Sequence, residues 1–225
     1  MRIGLAVVAT GKYVEFLPAL KASVDEFFMR GHEVGQVVMS DYYPKNDVFY
    51  SPHEPWPGPT IHRHKHLARV GDAFGDLWNF DYLFMVDADM RFVAPVGDEI
   101  LSDLVGTIHP GFWNKPRSQF TYETRPESRA CIQRGMGERY YAGGFQGGRT
   151  EVYLKACRHL AEQVAHDESN GITAIWHDES HWNRYLFENP PTLELDPGYC
   201  YPESWDLPFE RKLLALDKDH SAMRA

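Results

Sequence analysis

Residues 2–9 (RIGLAVVA) form a nearly unbroken apolar run that ends at Thr10-Gly11, and this run sets the class of fold open to the chain. A strand without polar alternation is one covered on both faces. Over residues 13–30 the side chains of Phe16, Leu20, Val24 and Phe27 recur at helical spacing, with Pro18 tolerable only near the helix start and Gly31 as its stop. Residues 34–39 supply a second strand. Strand, helix and strand in that order predict a right-handed crossover, hence an α/β fold with a mostly parallel central sheet flanked by helices.

Residues 41–59 hold five prolines, several aromatics and no period, which predicts a long loop of the kind that serves as a lid. Residues 61–78 read as a helix, and residues 82–86 as a third buried strand that runs into Asp87-Ala88-Asp89. Short segments around residues 106–112 and a glycine-rich stretch over residues 140–148 follow. A helix is expected over residues 150–166, with Thr150 and Glu151 suiting its first turn, and a shorter one over residues 178–187. The 225 residues suit one large domain, residues 1–225, rather than two.

Charge narrows the partners. With 32 Asp and Glu against 23 Lys and Arg, the net charge of −9 disfavours nucleic acid and acidic membrane surfaces. Cys131, Cys157 and Cys200 are odd in number and lack metal-type pairing, so reduced structural thiols are expected. No apolar run approaches the roughly 20 residues of a membrane-spanning helix, and the first segment is too short for a signal sequence, so the expected location is cytoplasmic.

Three constellations carry chemistry. Asp87 and Asp89, two apart in an extended segment, point to one side at the carboxyl end of a strand, where open α/β sheets gather ligands. Their hard oxygens suit Mn²⁺ or Mg²⁺ rather than zinc, whereas a solvated turn is the bland alternative. In Trp176-His177-Asp178-Glu179-Ser180-His181 a carboxylate could face a reacting carbon. A zinc hydrolase built on His177 and His181, four apart, is the rival, although the zincin pattern needs Glu where Asp178 stands. Asp178 is also placed to cap a helix, with Glu179 in its first turn. The glycine cluster Gly143-Gly144 with Gly147-Gly148 fits a tight turn or a ligand pocket equally well. His62, His64 and His66 do not share one helical face and read as ordinary polar positions.

Taken together, VDADM, GTIHPGF, FTYE-RP-S, YY-GGF-GG and WHDESH, in this order and spacing, resemble retaining glycosyltransferase family 6. This is the family of the histo-blood group A and B transferases and of α-1,3-galactosyltransferase. The resemblance runs from KYVEFL at residues 12–17 to KDHSAMR at residues 218–224 and covers only a catalytic domain, as in a short microbial or viral-type member without anchor. It implies a GT-A fold, with residues 1–90 as the nucleotide-sugar half and residues 91–225 as the acceptor and catalytic half, closed by a C-terminal tail. It further implies α-1,3 transfer from a UDP-sugar to a β-galactoside.

Residue by residue, the resemblance makes Asp87 and Asp89 metal ligands and places Val8, Ala9, Thr10 and Tyr13 at the uridine. Arg63 is implied to reach the donor sugar and the acidic pair, and Lys218 and Arg224 the diphosphate. His109 and Thr121 fall at the acceptor galactose, Asp178 at the donor sugar and Glu179 at its anomeric carbon. Ala142, Gly143 and Gly144 occupy the stretch that tells galactose from N-acetylgalactosamine, and their small size favours UDP-GalNAc over UDP-galactose. Many bacterial members carry NxN and work without metal, whereas this chain keeps both aspartates. Where the family tail has an aromatic followed by Asp, Tyr201-Pro202 stands here. A carbohydrate-binding protein without catalysis is the remaining alternative.

Overall fold

A computed structural model of the chain describes residues 1–42, 48–73 and 79–224, the side chain of Arg224 excepted. The first strand, β1 (Arg2–Val8), is followed by a 3-10 segment, Gly11–Phe16, and helix α1 (Leu17–Phe27). The helix expected from residue 13 is therefore α-helical only from Leu17. Pro18 explains the delay: a proline is accommodated in the first turn, where its missing N–H is no loss. The chain leaves α1 through Met29, at φ 50°, and Gly31, at φ 98°.

Strand β2 (Glu33–Ser40) pairs parallel with β1. β3 (Val48–Tyr50) extends the same sheet at its edge. The long loop expected over residues 41–59 thus contains an edge strand, since Val48, Phe49 and Tyr50 pair with Val38, Met39 and Ser40 of β2 even though the sequence shows no period. Within it, residues 43–47 lie outside the described residues. A short turn of helix, α2 (Gly58–Ile61), and α3 (Arg63–Ala73) follow, while the predicted extension over residues 74–78 lies outside the described residues. β4 (Tyr82–Val86) falls where expected.

The remaining elements are β5 (Met90–Phe92), β6 (Leu104–Ile108), β7 (Tyr141–Arg149), α4 (Thr150–Ser169), α5 (His177–Glu188), β8 (Leu193–Leu195), β9 (Tyr201–Pro202), β10 (Leu213–Ala215) and α6 (His220–Arg224). The main sheet runs β3-β2-β1-β4-β7-β6-β8, with β7 antiparallel to both its neighbours and the other pairs parallel. A small second sheet, β5-β10-β9, ties the C-terminal stretch to the segment after β4.

β1 is buried on both faces because its alternate side chains serve two cores. Ile3, Leu5 and Val7 pack with Leu20, Val24 and Phe28 of the α1 side. Ala6 joins Met85, Leu67, Tyr153 and Trp182 on the α3, α4 and α5 side. Trp182 is fully buried and meets Tyr153 of α4 edge to face at 6.3 Å, which fixes α5 against α4 and so positions the first turn of α5.

The glycine-rich stretch is neither a turn nor a loop but the antiparallel strand β7. A Cβ on Gly147 would lie 2.5 Å from the Leu83 carbonyl oxygen, so the missing side chain is what lets β7 lie against β4. Farther along, the pairing with β6 jumps from Gln146 opposite Gly106 to Ala142 opposite Thr107. The residues between form a bulge, and bulges re-aim the chain. This one carries Gly143 and Gly144 away from β6 at the carboxyl end of β4.

Candidate active site

At that end of the sheet a cleft opens between β1, β4, α3 and the tail. Val8, Thr10 and Tyr13 line it from β1 and the turn after it, Asp87 and Asp89 from the segment after β4, and Lys218 from the tail. Its continuation is bounded by Gly143, Gly144, Asp178 and Glu179, and Arg63, Asp87, Trp56 and Thr60 border both parts. Ala9 is placed differently from the other nucleotide-half candidates: its side chain is in the core and its N–H donates to the Met39 carbonyl.

Asp87 and Asp89 are not in an extended segment. The Met90 N–H donates to the Asp87 carbonyl at 3.2 Å, closing a turn, so the two carboxylates reach one cleft by turn geometry rather than by the two-residue repeat of a strand. Each meets a cation. Arg63 Nη2 lies 2.5 Å from Asp87 Oδ1, and the Lys218 ammonium contacts Asp89. The Leu216 N–H donates to the Asp89 carbonyl, which brings the tail to this point.

Arg63 joins the two parts of the cleft. Besides Asp87, its Nε lies 3.2 Å from Asp178 Oδ2 and its Nη1 donates to the Gly143 carbonyl at 2.9 Å. Burial works against its charge, but Asp178 and Asp87 outweigh that and hold the guanidinium above its ordinary range. For Asp178 burial dominates over Arg63, and the carboxyl is pushed up to about 6. Glu179 opens into the cleft, yet protein atoms crowd its other sides and burial pushes it up to about 8, against the pull of the Gly143 N–H, which donates to Oε2 at 3.0 Å.

Asp178 does not cap α5: Trp176 holds that position, and both acids lie in the first turn, at the positive end of the helix. The Trp176 N–H instead donates to Ser180 Oγ at 3.0 Å. The rival zinc pair separates. His181 is buried 3.6 Å from Asp167 Oδ2, whereas the His177 ring packs against Trp56 at the cleft. Among the described residues no three His, Cys, Asp or Glu side chains gather as a metal-holding group.

Two carboxylates of hard oxygen donors on one wall fit an ion that completes its shell with water and phosphate oxygens, the usual habit of Mg²⁺ and Mn²⁺. They do not make a closed cage. Of the residues expected at the acceptor, His109 accepts at Nδ1 from the Gly111 N–H at 2.9 Å, which leaves Nε2 as the donor of a neutral ring, and burial lowers its pKa to about 4. Thr121 is exposed, with its Oγ1 donating to the Tyr140 hydroxyl at 3.4 Å. Ala142 is buried in β7 beside the bulge. Arg224 ends α6, its side chain lying outside the described residues.

The three histidines read as ordinary polar positions are structural. His62 and His66 do share a face, with rings 6.3 Å apart. His62 lies between Glu54 and Glu168, His66 is buried beside Ser51, and His64 is buried 3.0 Å from Gln146 Oε1. Helical spacing could have paired His62 with His66; the burial of His64 has no local signal.

Sequence reasoning also missed Trp56, Thr60, His220 and Met223 at the cleft, and Glu123 behind it. Against the cost of burial, bonds from Arg125 and the Ile175 N–H hold Glu123 down to about 2 and tie the segment before α5 in place. Cys131, Cys157 and Cys200 are free, with Cys157 buried. No helix among the described residues is long and apolar enough to cross a membrane.

A model of glycosyltransferase family 6 matches residues 64–225. The chain is 38% identical to histo-blood group ABO system transferase 1 of Rattus norvegicus over 243 aligned residues, covering 99% of this chain and 68% of that protein. It is 33% identical to globoside alpha-1,3-N-acetylgalactosaminyltransferase 1 of Homo sapiens over 244 residues, covering 100% of this chain and 69% of that one. A human putative glycosyltransferase 6 domain-containing protein 1 matches at 31% over 204 residues, 84% of this chain and 72% of the relative.

Proposed function

The chain belongs to glycosyltransferase family 6, and from that premise we propose that it moves N-acetylgalactosamine, or else galactose, from a UDP-sugar to a β-galactoside, with retention and in α-1,3 linkage. One observation carries the reading: Arg63 forms ion pairs with Asp87 and Asp178 and donates to the Gly143 carbonyl, joining the acidic turn to the carboxylates at the foot of α5. The part of the cleft formed mainly by residues 1–90 takes uridine and diphosphate. Residues 91–225 hold the sugar and acceptor and contribute the closing tail.

Val8, Thr10 and Tyr13 face the uridine, with Ala9 contributing through its backbone. Asp87 and Asp89 hold Mn²⁺ or Mg²⁺, which when bound neutralises charge on the departing diphosphate. Lys218 supports that charge, and Arg224 is assigned the same role by family likeness. Asp178 binds the donor sugar. Glu179, in the ionised form that it gains as pH rises through about 8, either attacks the anomeric carbon or stabilises an oxocarbenium-like centre there. His109 donates from Nε2 to the acceptor, with Thr121 beside it.

The choice of N-acetylgalactosamine rests on space. A Cβ on Gly143 would lie 3.2 Å from Asp178 Oδ2, on the sugar side of the cleft, so the missing side chain there leaves room for an acetamido group, whereas one on Gly144 would first meet Cys200 Sγ at 3.2 Å and Met90 Sδ at 3.3 Å. The name of the human globoside relative points the same way. A screen of UDP-sugars against β-galactosides, with and without Mn²⁺, tests class, donor and metal. The expected result is transfer from UDP-GalNAc that stops in chelator. Full activity in chelator removes the metal from the proposal, a strong preference for UDP-galactose reverses the donor, and acceptor binding without UDP release makes the chain a binding protein.

A further inference from the structure

We propose that His62 is a positioning residue for the donor cleft, an imidazolium that clamps α2 and the segment before it, which form one wall of the cleft, to the end of α4. The inference rests on the transferase reading above, but on contacts outside the site. His62 stands between α2 and α3, with Nδ1 2.5 Å from Glu54 Oε2 and Nε2 2.7 Å from Glu168 Oε1. Glu54 belongs to the segment before α2, and Glu168 to the last turn of α4. Trp56 and Thr60 lie along the chain between Glu54 and His62, and Arg63 follows directly; all three border both parts of the cleft.

The local chain is shaped for this contact. Glu54 folds over Gly58, where a Cβ would lie 2.5 Å from the Glu54 Cβ and 2.7 Å from its Oε2. The His62 side chain is 14% exposed, so little water competes for its nitrogens. Carboxylates only accept, and a neutral imidazole carries one N–H. A ring with a carboxylate oxygen at bonding distance from each nitrogen therefore makes both bonds only as imidazolium. On losing its proton it turns a lone pair towards one carboxylate, and that side of the clamp is lost. Other titratable and charged groups stand around it. His66 of α3 has its ring 6.3 Å away, and burial lowers it to about 4. Lys65 and Arg69 of α3 are exposed, and the Arg63 guanidinium is engaged with Asp87 and Asp178. Asp167 of α4 accepts from Ser128 and the Arg129 N–H, and His181 of α5 is buried beside it.

The test compares wild type with His62→Arg and His62→Gln. Arginine presents donors on more than one edge at every pH and so keeps both carboxylates, whereas the glutamine amide donates on one side only. The KM for UDP-GalNAc of wild type is expected to match that of His62→Arg at about pH 6 and to exceed it about three- to tenfold at about pH 9. His62→Gln should show the raised KM at both. At each pH the kcat values of the three chains should agree within about twofold, so the titration of Glu179, common to all, cancels. A ratio of wild type to His62→Arg that does not change with pH, or a His62→Gln chain that matches wild type at about pH 6, overturns the proposal.

Amide hydrogen exchange in the free chain reads the clamp without substrate. The N–H groups of Gly58, Thr60, Ile61 and His62 all donate to carbonyls within this segment, so their protection, corrected for intrinsic exchange at each pH, reports how firmly the wall is held. Protection should fall with rising pH in wild type, stay constant in His62→Arg and be low throughout in His62→Gln. Equal protection in the three chains also overturns the proposal. A wild-type chain that transfers no sugar while protection follows this pattern tells against the transferase reading and leaves the clamp standing.

Discussion

Arg63 shows how a single side chain can organise a site. Its planar fork serves Asp87, Asp178 and the Gly143 carbonyl together, a geometry that a lysine cannot reproduce. Glu179 shows the cost of such an arrangement. Burial raises its carboxyl to about 8, so its contribution to stability is complete below about 4.5, the ordinary value, and is lost as pH rises through about 8. Glu179→Gln removes that loss. The variant is expected to unfold at higher urea than wild type at pH 8.5, by roughly 1–2 kcal/mol after allowance for its partial exposure, with the difference vanishing near pH 5. The same change should lower turnover by about 100-fold or more in a steady-state assay, because a carboxylate that stabilises a cationic centre or attacks it cannot be replaced by an amide. Near wild-type transfer would remove Glu179 from its role.

At the scale of elements, β7 decides most about the site. Its glycines permit close approach to β4 and β6, and its bulge delivers Gly143 to Arg63 and Glu179. A methyl at Gly147 meets backbone atoms of Leu83 and Phe84 that cannot move without breaking the ladder. Gly147→Ala should therefore destabilise the chain by about 3 kcal/mol or more. Gly171 offers the contrast: it has φ 68° but open space around its Cβ position, and Gly171→Ala should cost only about 1 kcal/mol from backbone strain. Urea midpoints of the two variants check both values, and equal losses would mean that close packing of β7 is not what its glycines provide. Helix α3 contributes in another way, wedging His64 against Gln146 of β7, which in turn donates to the Gly143 carbonyl.

For the whole molecule, buried histidines set the response to acid. Burial lowers His64 to about 3 and His66 and His109 to about 4, so the stability they contribute is present above about 6.5 and is lost as pH falls from there towards 4. Asp178 and Glu179 act in the opposite sense over part of this range, so the informative quantity is a difference of slopes. His64→Gln should flatten the fall in unfolding free energy between pH 6.5 and 4.5 by up to about 1.4 kcal/mol per pH unit; parallel curves would mean that His64 takes up its proton in the folded chain. Local pattern was enough for the α/β class, for β1, β2, β4 and α4, and for the acidic turn at a strand end, because apolar spacing and turn chemistry are properties of neighbours in sequence. It left the glycines of β7 open between a turn and a pocket and did not read a strand, because they look like a turn until strands from elsewhere close on both sides, and it misread the three histidines of residues 62–66, whose partners are brought by β7, α4 and the segment before α2. By itself the sequence determined which residue types and element order were present. Only the tertiary structure decided that Arg63, Asp87, Gly143, Asp178 and Glu179 meet, since burial and long-range pairing fix a charge's neighbours and no local spacing records them.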